Sequence, residues 1–203
     1  MAAAAQSAAR RLVLASRNPH KLRELSEILA GFELAPLPDD VGLPPEDAPD
    51  FRGNALIKAR AAFEATGLPA IGDDSGIEVA ALGGRPGVHS ARFAGETATD
   101  AENLAKLLDE LRPHADRSAA YVCWLAYVDS PDGAELFEGR CEGRLAERPR
   151  GDGGFGYDPA FVPDDTGPGD ERTMAELSAA EKHAISHRGR AARRLATALG
   201  VAR

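Results

Sequence analysis

Short apolar runs bounded by turn residues, interspersed with helical spacings, organise the chain. Leu12-Val13-Leu14-Ala15 is a continuous apolar run of strand length, as expected of a buried strand. Asn18-Pro19 then carries the marks of a helix start. Asn is a good N-cap, Pro suits the first helical position, and Leu22, Leu25, Ile28 and Leu29 follow at helical spacing. Asn54 to Ala65 predicts a second helix, Ala-rich, with Ala55, Ala59 and Ala62 on one side and Asn54 and Lys58 one turn apart. Ala70-Ile71 reads as a short strand ended by a tight turn, Gly72-Asp73-Asp74-Ser75-Gly76, after which Ile77, Val79 and Ala81 alternate as a further strand. Gly83-Gly84-Arg85-Pro86-Gly87 is a turn cluster.

Downstream, Thr99 with Glu102 forms a capping box ahead of Leu104, Leu107, Leu108 and Leu111. Ala119 to Val128 is a long apolar strand, and Ser130-Pro131-Asp132-Gly133 turns it into a partner over about Glu135 to Glu142. A glycine-rich loop covers 151–159, and a second capping box pairs Ser178 with Glu181. Lys182 and His187 lie about 140° apart on a regular helix, so if both serve one ligand the helix breaks near Ser186. Ser186 would then cap a final helix carrying Leu195 and Leu199. Residues 35–50 hold five Pro and five Asp or Glu and read as an acidic surface loop. Strands mixed with helices and a hairpin predict an α/β fold, a single domain over 11–203 with a mixed sheet flanked by helices.

Composition narrows the setting. With 43% hydrophobic and 28% charged residues in 203, the chain can bury a sizeable core and is not a disordered one. The net charge of −8 argues against broad nucleic-acid or anionic-membrane binding, and no apolar run approaches the roughly 18 residues of a membrane span. A local basic pocket for one small polyanion remains compatible with it. The Ala-rich start lacks an adequate apolar signal core, so residues 1–10 are expected as a flexible tail and the protein as cytoplasmic. Cys123 and Cys141 are too few for a disulfide scaffold or a zinc site and are expected as two buried thiols.

Four segments carry candidate chemistry. Ser16-Arg17-Asn18-Pro19-His20-Lys21 joins a buried strand to a helix N-terminus, where unpaired N–H groups and the helix dipole attract phosphate; it also reads as a plain strand–helix turn. Asp73-Asp74-Ser75-Gly76 sets two repelling carboxylates together, which a divalent cation would relieve, with an Asx turn as the alternative. In Gly151 to Pro159, glycines permit close backbone approach to a flat ligand. There Phe155 or Tyr157 could stack on a base and Asp158 could accept from a base N–H. Lys182 with His187-Arg188 gathers cations before a helix start, or is a solvated basic face continued by Arg190, Arg193 and Arg194.

In combination and in this order, these stretches resemble the inosine triphosphate pyrophosphatase family. The match also takes in Asn54-Ala55 to Lys58-Ala59, Ile77-Glu78-Val79, Leu82 to Gly87 and Ser186-His187-Arg188-Gly189, and runs from about Arg11 to Leu199. The resemblance implies a homodimer of two-lobed α/β subunits, each with a cleft between its lobes. It also implies hydrolysis of ITP, dITP and XTP to the monophosphate and pyrophosphate with Mg²⁺. On it, Ser16, Arg17, Asn18, Pro19, His20 and Lys21 hold the triphosphate, Asp74 binds metal and accepts the proton, and Ser75 touches substrate. Phe155, Gly156, Tyr157, Asp158, Lys182, His187 and Arg188 frame the base and nearby phosphate, and Glu46, five residues before Phe51, matches a metal-ligand glutamate. Gly53 stands where many relatives carry a glutamate. The same site could instead favour another base, such as a modified pyrimidine, or bind nucleotide without turnover.

Overall fold

The computed structural model describes residues 10–201. The expected tail over 1–10 lies outside them except for Arg10, which is strand rather than tail: it opens β1 (Arg10–Ala15), and its guanidinium donates to the Leu199 carbonyl. Asn18 caps α1 (Pro19–Ile28), its side-chain oxygen accepting from the His20 and Lys21 amides. Next comes β2 (Phe32–Pro36), whose end occupies the first residues of the expected acidic loop. Asp50 caps α2 (Phe51–Thr66), and β3 (Ala70–Val79) follows. The Thr99–Glu102 capping box opens α3 (Asp100–Glu110), ahead of the hairpin β4 (Ser118–Val128) and β5 (Glu135–Leu145) and short β6 (Phe161–Pro163). Ser178 caps α4 (Ala179–Ile185), and an extended Ser186 breaks the helix and caps α5 (His187–Ala198), accepting from the Gly189 amide.

The six strands order β2-β1-β3-β4-β5-β6. β1 is parallel to β2 and β3, and the remaining neighbours are antiparallel, so the sheet is mixed as expected. α1 and α5 cover one face through Leu25, Leu29, Ala191, Ala192 and Leu195 against Leu12, Leu14, Ile71 and Leu125. The alanine stripe of α2 lies on the other, with Ala55 and Ala59 against Ala126 and Val128. A further core, built from α3, the far ends of β3 and β4 and the 157–177 stretch, packs Leu107, Ile77, Tyr121 and Phe161. Among the described residues no helix is long and apolar enough to cross a membrane.

Asp73-Asp74-Ser75-Gly76 is no turn; it is the middle of the ten-residue strand β3, paired along its length with β4. The alternating pleat sends the two carboxylates to opposite faces, so their repulsion is relieved by separation, without a cation between them. The glycines that suggest a turn have another cause. A Cβ at Gly72 would overlap the Ala55 carbonyl and stand 2.8 Å from the Ala59 nitrogen, and one at Gly76 would meet the Gly87 carbonyl at 2.7 Å. Glycine lets α2 and the 87–92 turn lie directly on the strand. β3 also ends at Val79, so Ala81 belongs to a short 3-10 turn over Ala80–Leu82.

Candidate active site

A cavity of about 320 Å³ opens where β1 and β3 meet α1, α2 and α5, roofed by the 88–91 segment and the glycine-aromatic loop. Its wall includes residues from all four candidate segments and Glu46.

At the α1 end, Ser16, Asn18 and Lys21 line the wall. Arg17 also reaches it, yet its guanidinium is engaged elsewhere, donating to the carbonyls of Leu37, Pro38, Asp39 and Val41 and so pinning the start of the acidic loop. Pro19 and His20 do not line the cavity; the His20 ring stacks on Phe155 with centroids 5.1 Å apart. Lys21 Nζ lies 2.5 Å from Asp73 Oδ1.

On the α2 face, Lys58 Nζ donates to Asp74 Oδ1 at 2.9 Å and Glu46 Oε1 at 2.7 Å. One ammonium serves two carboxylates, and its pKa is raised: burial acts against the charge, but Asp74 and Glu46 outweigh it. Burial lifts the Asp74 carboxyl above its ordinary range despite the pull of Lys58 and Lys21. Asp74 Oδ2 is buried with no hydrogen-bond partner, an acceptor without a donor. Among the described residues no cluster of three or more His, Cys, Asp or Glu forms a ready metal cage. Two carboxylates with one unused buried oxygen suit Mg²⁺, which commonly takes one or two protein carboxylates and completes its shell with substrate phosphates and water. Gly53, in the first turn of α2, supplies no further carboxylate, and a Cβ there would stand 2.5 Å from the Ala48 Cβ.

The opposite face carries a chain of ion pairs. Arg188 Nε donates to Asp73 Oδ2 at 2.8 Å, Nη1 to Glu24 at 2.7 Å and Nη2 to Ser75 Oγ at 2.8 Å. Lys182 Nζ donates to Glu24 at 2.6 Å and Asp158 Oδ2 at 2.7 Å. Burial pushes Asp73 upward, but Arg188 and Lys21 prevail and hold it well below the usual carboxylate range. Glu24 behaves likewise: burial opposes its charge, and Arg188 and Lys182 bring it down to about 2. His187 packs flat on Tyr121 with centroids 4.5 Å apart; burial and the neighbouring Arg188 charge hold its pKa well below the ordinary value, so the imidazole is neutral. Its Nδ1 is buried without a partner. α5 approaches closely because Gly139 on β5 has no side chain: a Cβ there would overlap the His187 carbonyl and stand 2.6 Å from the Ala191 nitrogen.

In the glycine loop, Gly154 and Gly156 take positive φ, and Asp158 Oδ2 accepts from the Phe155 amide, so Asp158 shapes the loop as well as holding Lys182. Tyr157 is packed into the core and its hydroxyl donates to the Ser90 carbonyl, which leaves Phe155 as the loop's less constrained ring. Gly156 donates to Asp100 at the start of α3.

Glu24 and Asp100 gave no sign in the sequence as site residues, and the organising place of Lys58 was also hidden. Lys58 had one legible signal, a cation beside Asn54 on an otherwise alanine-lined buried stripe. Glu24 lies on α1 between exposed Arg23 and a helix face that also carries exposed Glu27, and only the fold brings Lys182 and Arg188 onto it. Both cysteines are free and buried, as expected.

The sequence profile of the Ham1 family matches residues 12–198. The chain is 53% identical to the dITP/XTP pyrophosphatase of Mycolicibacterium paratuberculosis over 93% of its own length and 95% of the relative's. It is 50% identical to the enzyme of that name from Ralstonia nicotianae, covering 90% and 92%. Among solved structures, the HAM1 protein of Coxiella burnetii superposes with a TM-score of 0.84 at 44% identity, covering 95% of this chain and all of that one. The nucleoside-triphosphatase, or dITP/XTP pyrophosphatase, of Mycobacterium abscessus gives 0.71 at 47% identity, covering 93% and 98%. A match of this extent, on a chain with this sheet order and these site segments, establishes that the protein belongs to the Ham1 family.

Proposed function

We propose that this protein hydrolyses the non-standard purine nucleoside triphosphates ITP, dITP and XTP to the monophosphate and pyrophosphate, with Mg²⁺ as cofactor. The observation that carries the reading is the single cavity in which a helix N-terminus with Lys21, the Glu46–Lys58–Asp74 group and the Phe155 loop share one wall. The names of its relatives agree with it.

The chemistry follows from charge. Water attacks the α-phosphorus and pyrophosphate leaves. The positive end of α1 and Lys21 attract the polyanionic tail and stabilise the leaving charge. Asp74 and Glu46 would hold Mg²⁺, which when bound supplies neutralisation of the phosphate charge. Asp74, whose Oδ2 has no hydrogen-bond partner, orients the water and accepts its proton. Ser75 holds Arg188 in place, and no covalent nucleophile is required. At the other end Phe155 offers a ring face, while Lys182, neutral His187 and Arg188 address the base edge. A 6-oxo group meets donors there; the 6-amino group of ATP leaves them unpaired, a mismatch that can discriminate by about 10⁴. The bound base displaces His20 from Phe155 or takes the ring's other side.

Two further parts of the reading are a cytoplasmic setting and a homodimer. The homodimer rests on the family resemblance, and sedimentation of the full chain tests it; the cytoplasmic setting is supported by two free, buried thiols. Pyrophosphate release from ITP, dITP, XTP, GTP and ATP, with Mg²⁺ and with chelator, tests the activity. Selective, metal-dependent release from the first three is expected. Equal turnover of ITP and ATP removes the selectivity, preference for a modified pyrimidine triphosphate in the same assay moves the substrate class, and binding without release removes catalysis.

A further inference from the structure

Asp73 faces away from Asp74 and lies at the bottom of the α1–α5 side with no exposed surface. Its oxygens are fully used. Oδ1 accepts from Lys21 Nζ at 2.5 Å and Ser75 Oγ at 3.0 Å; Oδ2 accepts from Arg188 Nε at 2.8 Å and lies 3.7 Å from the Cys123 thiol, which donates to it. Lys21 comes from α1 and Arg188 from α5, far apart in the chain, and among the described residues no other side chain bonds both.

We infer that Asp73 is a positioning residue that sets the lysine of the phosphate end and the arginine of the base end in one frame. The inference rests on the proposed function for what the two ends hold. Its physical content is a shared buried counter-ion. The carboxylate is fully buried on β3 with both oxygens engaged, so both cations are held relative to each other and to Asp74, the next residue along. Asp73 holds Arg188 at Nε, which fixes the plane of the guanidinium and leaves one N–H on each terminal nitrogen for a base, and it holds Lys21 at the ammonium, whose remaining N–H then meets a phosphate at a fixed place. Asp73 does both, and so ties recognition of the ring to placement of the tail. No water or substrate atom need touch it, because the cavity wall is formed by Asp74 and Ser75 on either side of the pleat while Asp73 stays beneath.

The test is Asp73→Asn in the full chain, with folding followed by thermal melting and kcat and KM measured for ITP and ATP. An amide keeps the shape but can face only some of these donors with an acceptor. kcat/KM for ITP is expected to fall about 100-fold, the effect of a displacement on the order of 1 Å. The ITP-to-ATP ratio is expected to fall at least about tenfold with it, since discrimination depends on donors held at the base edge. A merely structural role would lower the folded fraction and scale both substrates alike, so a ratio unchanged within about twofold in folded protein overturns the inference.

If Asp73→Asn does not fold, a cycle of Lys21→Met, Arg188→Lys and the double variant carries the same question. A shared anchor makes the two effects depart from a simple product by at least about fivefold, whereas independent contacts multiply within about twofold and overturn it. ITP affinity by calorimetry on the same proteins reads the coupling without chemistry. A wild-type chain that releases no pyrophosphate from ITP thus overturns the functional reading separately from this one.

Discussion

Glu24 joins Lys182 and Arg188 across the interface of α1 with α4 and α5, and its replacement by Gln has a calculable signature. Its carboxyl, ordinarily near 4.5, is brought down to about 2; burial pushes the other way, and Arg188 and Lys182 win. The difference of about 2.5 pH units, at roughly 1.36 kcal/mol each, makes the ionised group contribute about 3 kcal/mol to folding at neutral pH. The folded value is depressed, so this contribution is complete above about 4.5 and disappears as the pH falls towards 2. The side chain is only 12% exposed, so solvent screening removes little of it. Urea unfolding of wild type and Glu24→Gln, followed by the fluorescence of the single tryptophan, Trp124, gives the difference at each pH. Other carboxylates are common to both proteins and cancel. The gap should be about 3–5 kcal/mol at pH 7, including the cost of leaving two buried cations short of a partner, and should narrow by about 3 kcal/mol between pH 5 and pH 2. A gap of the same size at pH 7 and pH 3 would refute the ion-pair account and leave only a packing contribution.

Three further outcomes follow from the same geometry. Asp74→Asn should lower kcat by about 10²–10⁴-fold while a melting curve shows the fold retained, because Lys58 keeps Glu46; near-normal turnover would remove Asp74 as proton acceptor. Gly139→Ala should cost about 1–3 kcal/mol or more by pushing the start of α5 off β5, and should raise the KM for ITP as His187 and Arg188 shift; an unchanged unfolding midpoint contradicts the close packing. Cys123 and Cys141 are buried with thiol pKa values pushed up by burial, so a thiol reagent at pH 8 should label neither in the native protein and both in denaturant.

Local signals were the ones legible in the sequence. The capping boxes at Thr99–Glu102 and Ser178–Glu181, the Asn18-Pro19 start and the break at Ser186 each depend on a few adjacent residues, and each appears where the sequence puts it. What failed was non-local. Gly72 and Gly76 look like turn residues until α2 and the 87–92 turn are seen pressed on them, and β2, a short edge strand ending at Pro36, has no distinctive alternation. The site divides in the same way. Its α1 segment, acidic pair and glycine loop are contiguous motifs. The counter-ions that hold them in register, Glu24 and Lys58, sit on helices where a charged residue normally marks a solvated face. Arg17 and Tyr157 belong to readable motifs, yet their side chains are engaged in pinning a loop and filling a core.

The central claim is that one cavity holds a purine polyphosphate with its tail at the start of α1, its ring beside Phe155 and a cation against Asp74 and Glu46. A crystal structure of the protein with ITP and Mg²⁺, trapped by Asp74→Asn if turnover empties the site, measures all three at once. The account predicts phosphates at the start of α1 against Lys21, the hypoxanthine edge facing His187 and Arg188, and the metal beside Glu46. A nucleotide bound outside this cavity, or seated in it with ring and tail exchanged, would contradict it.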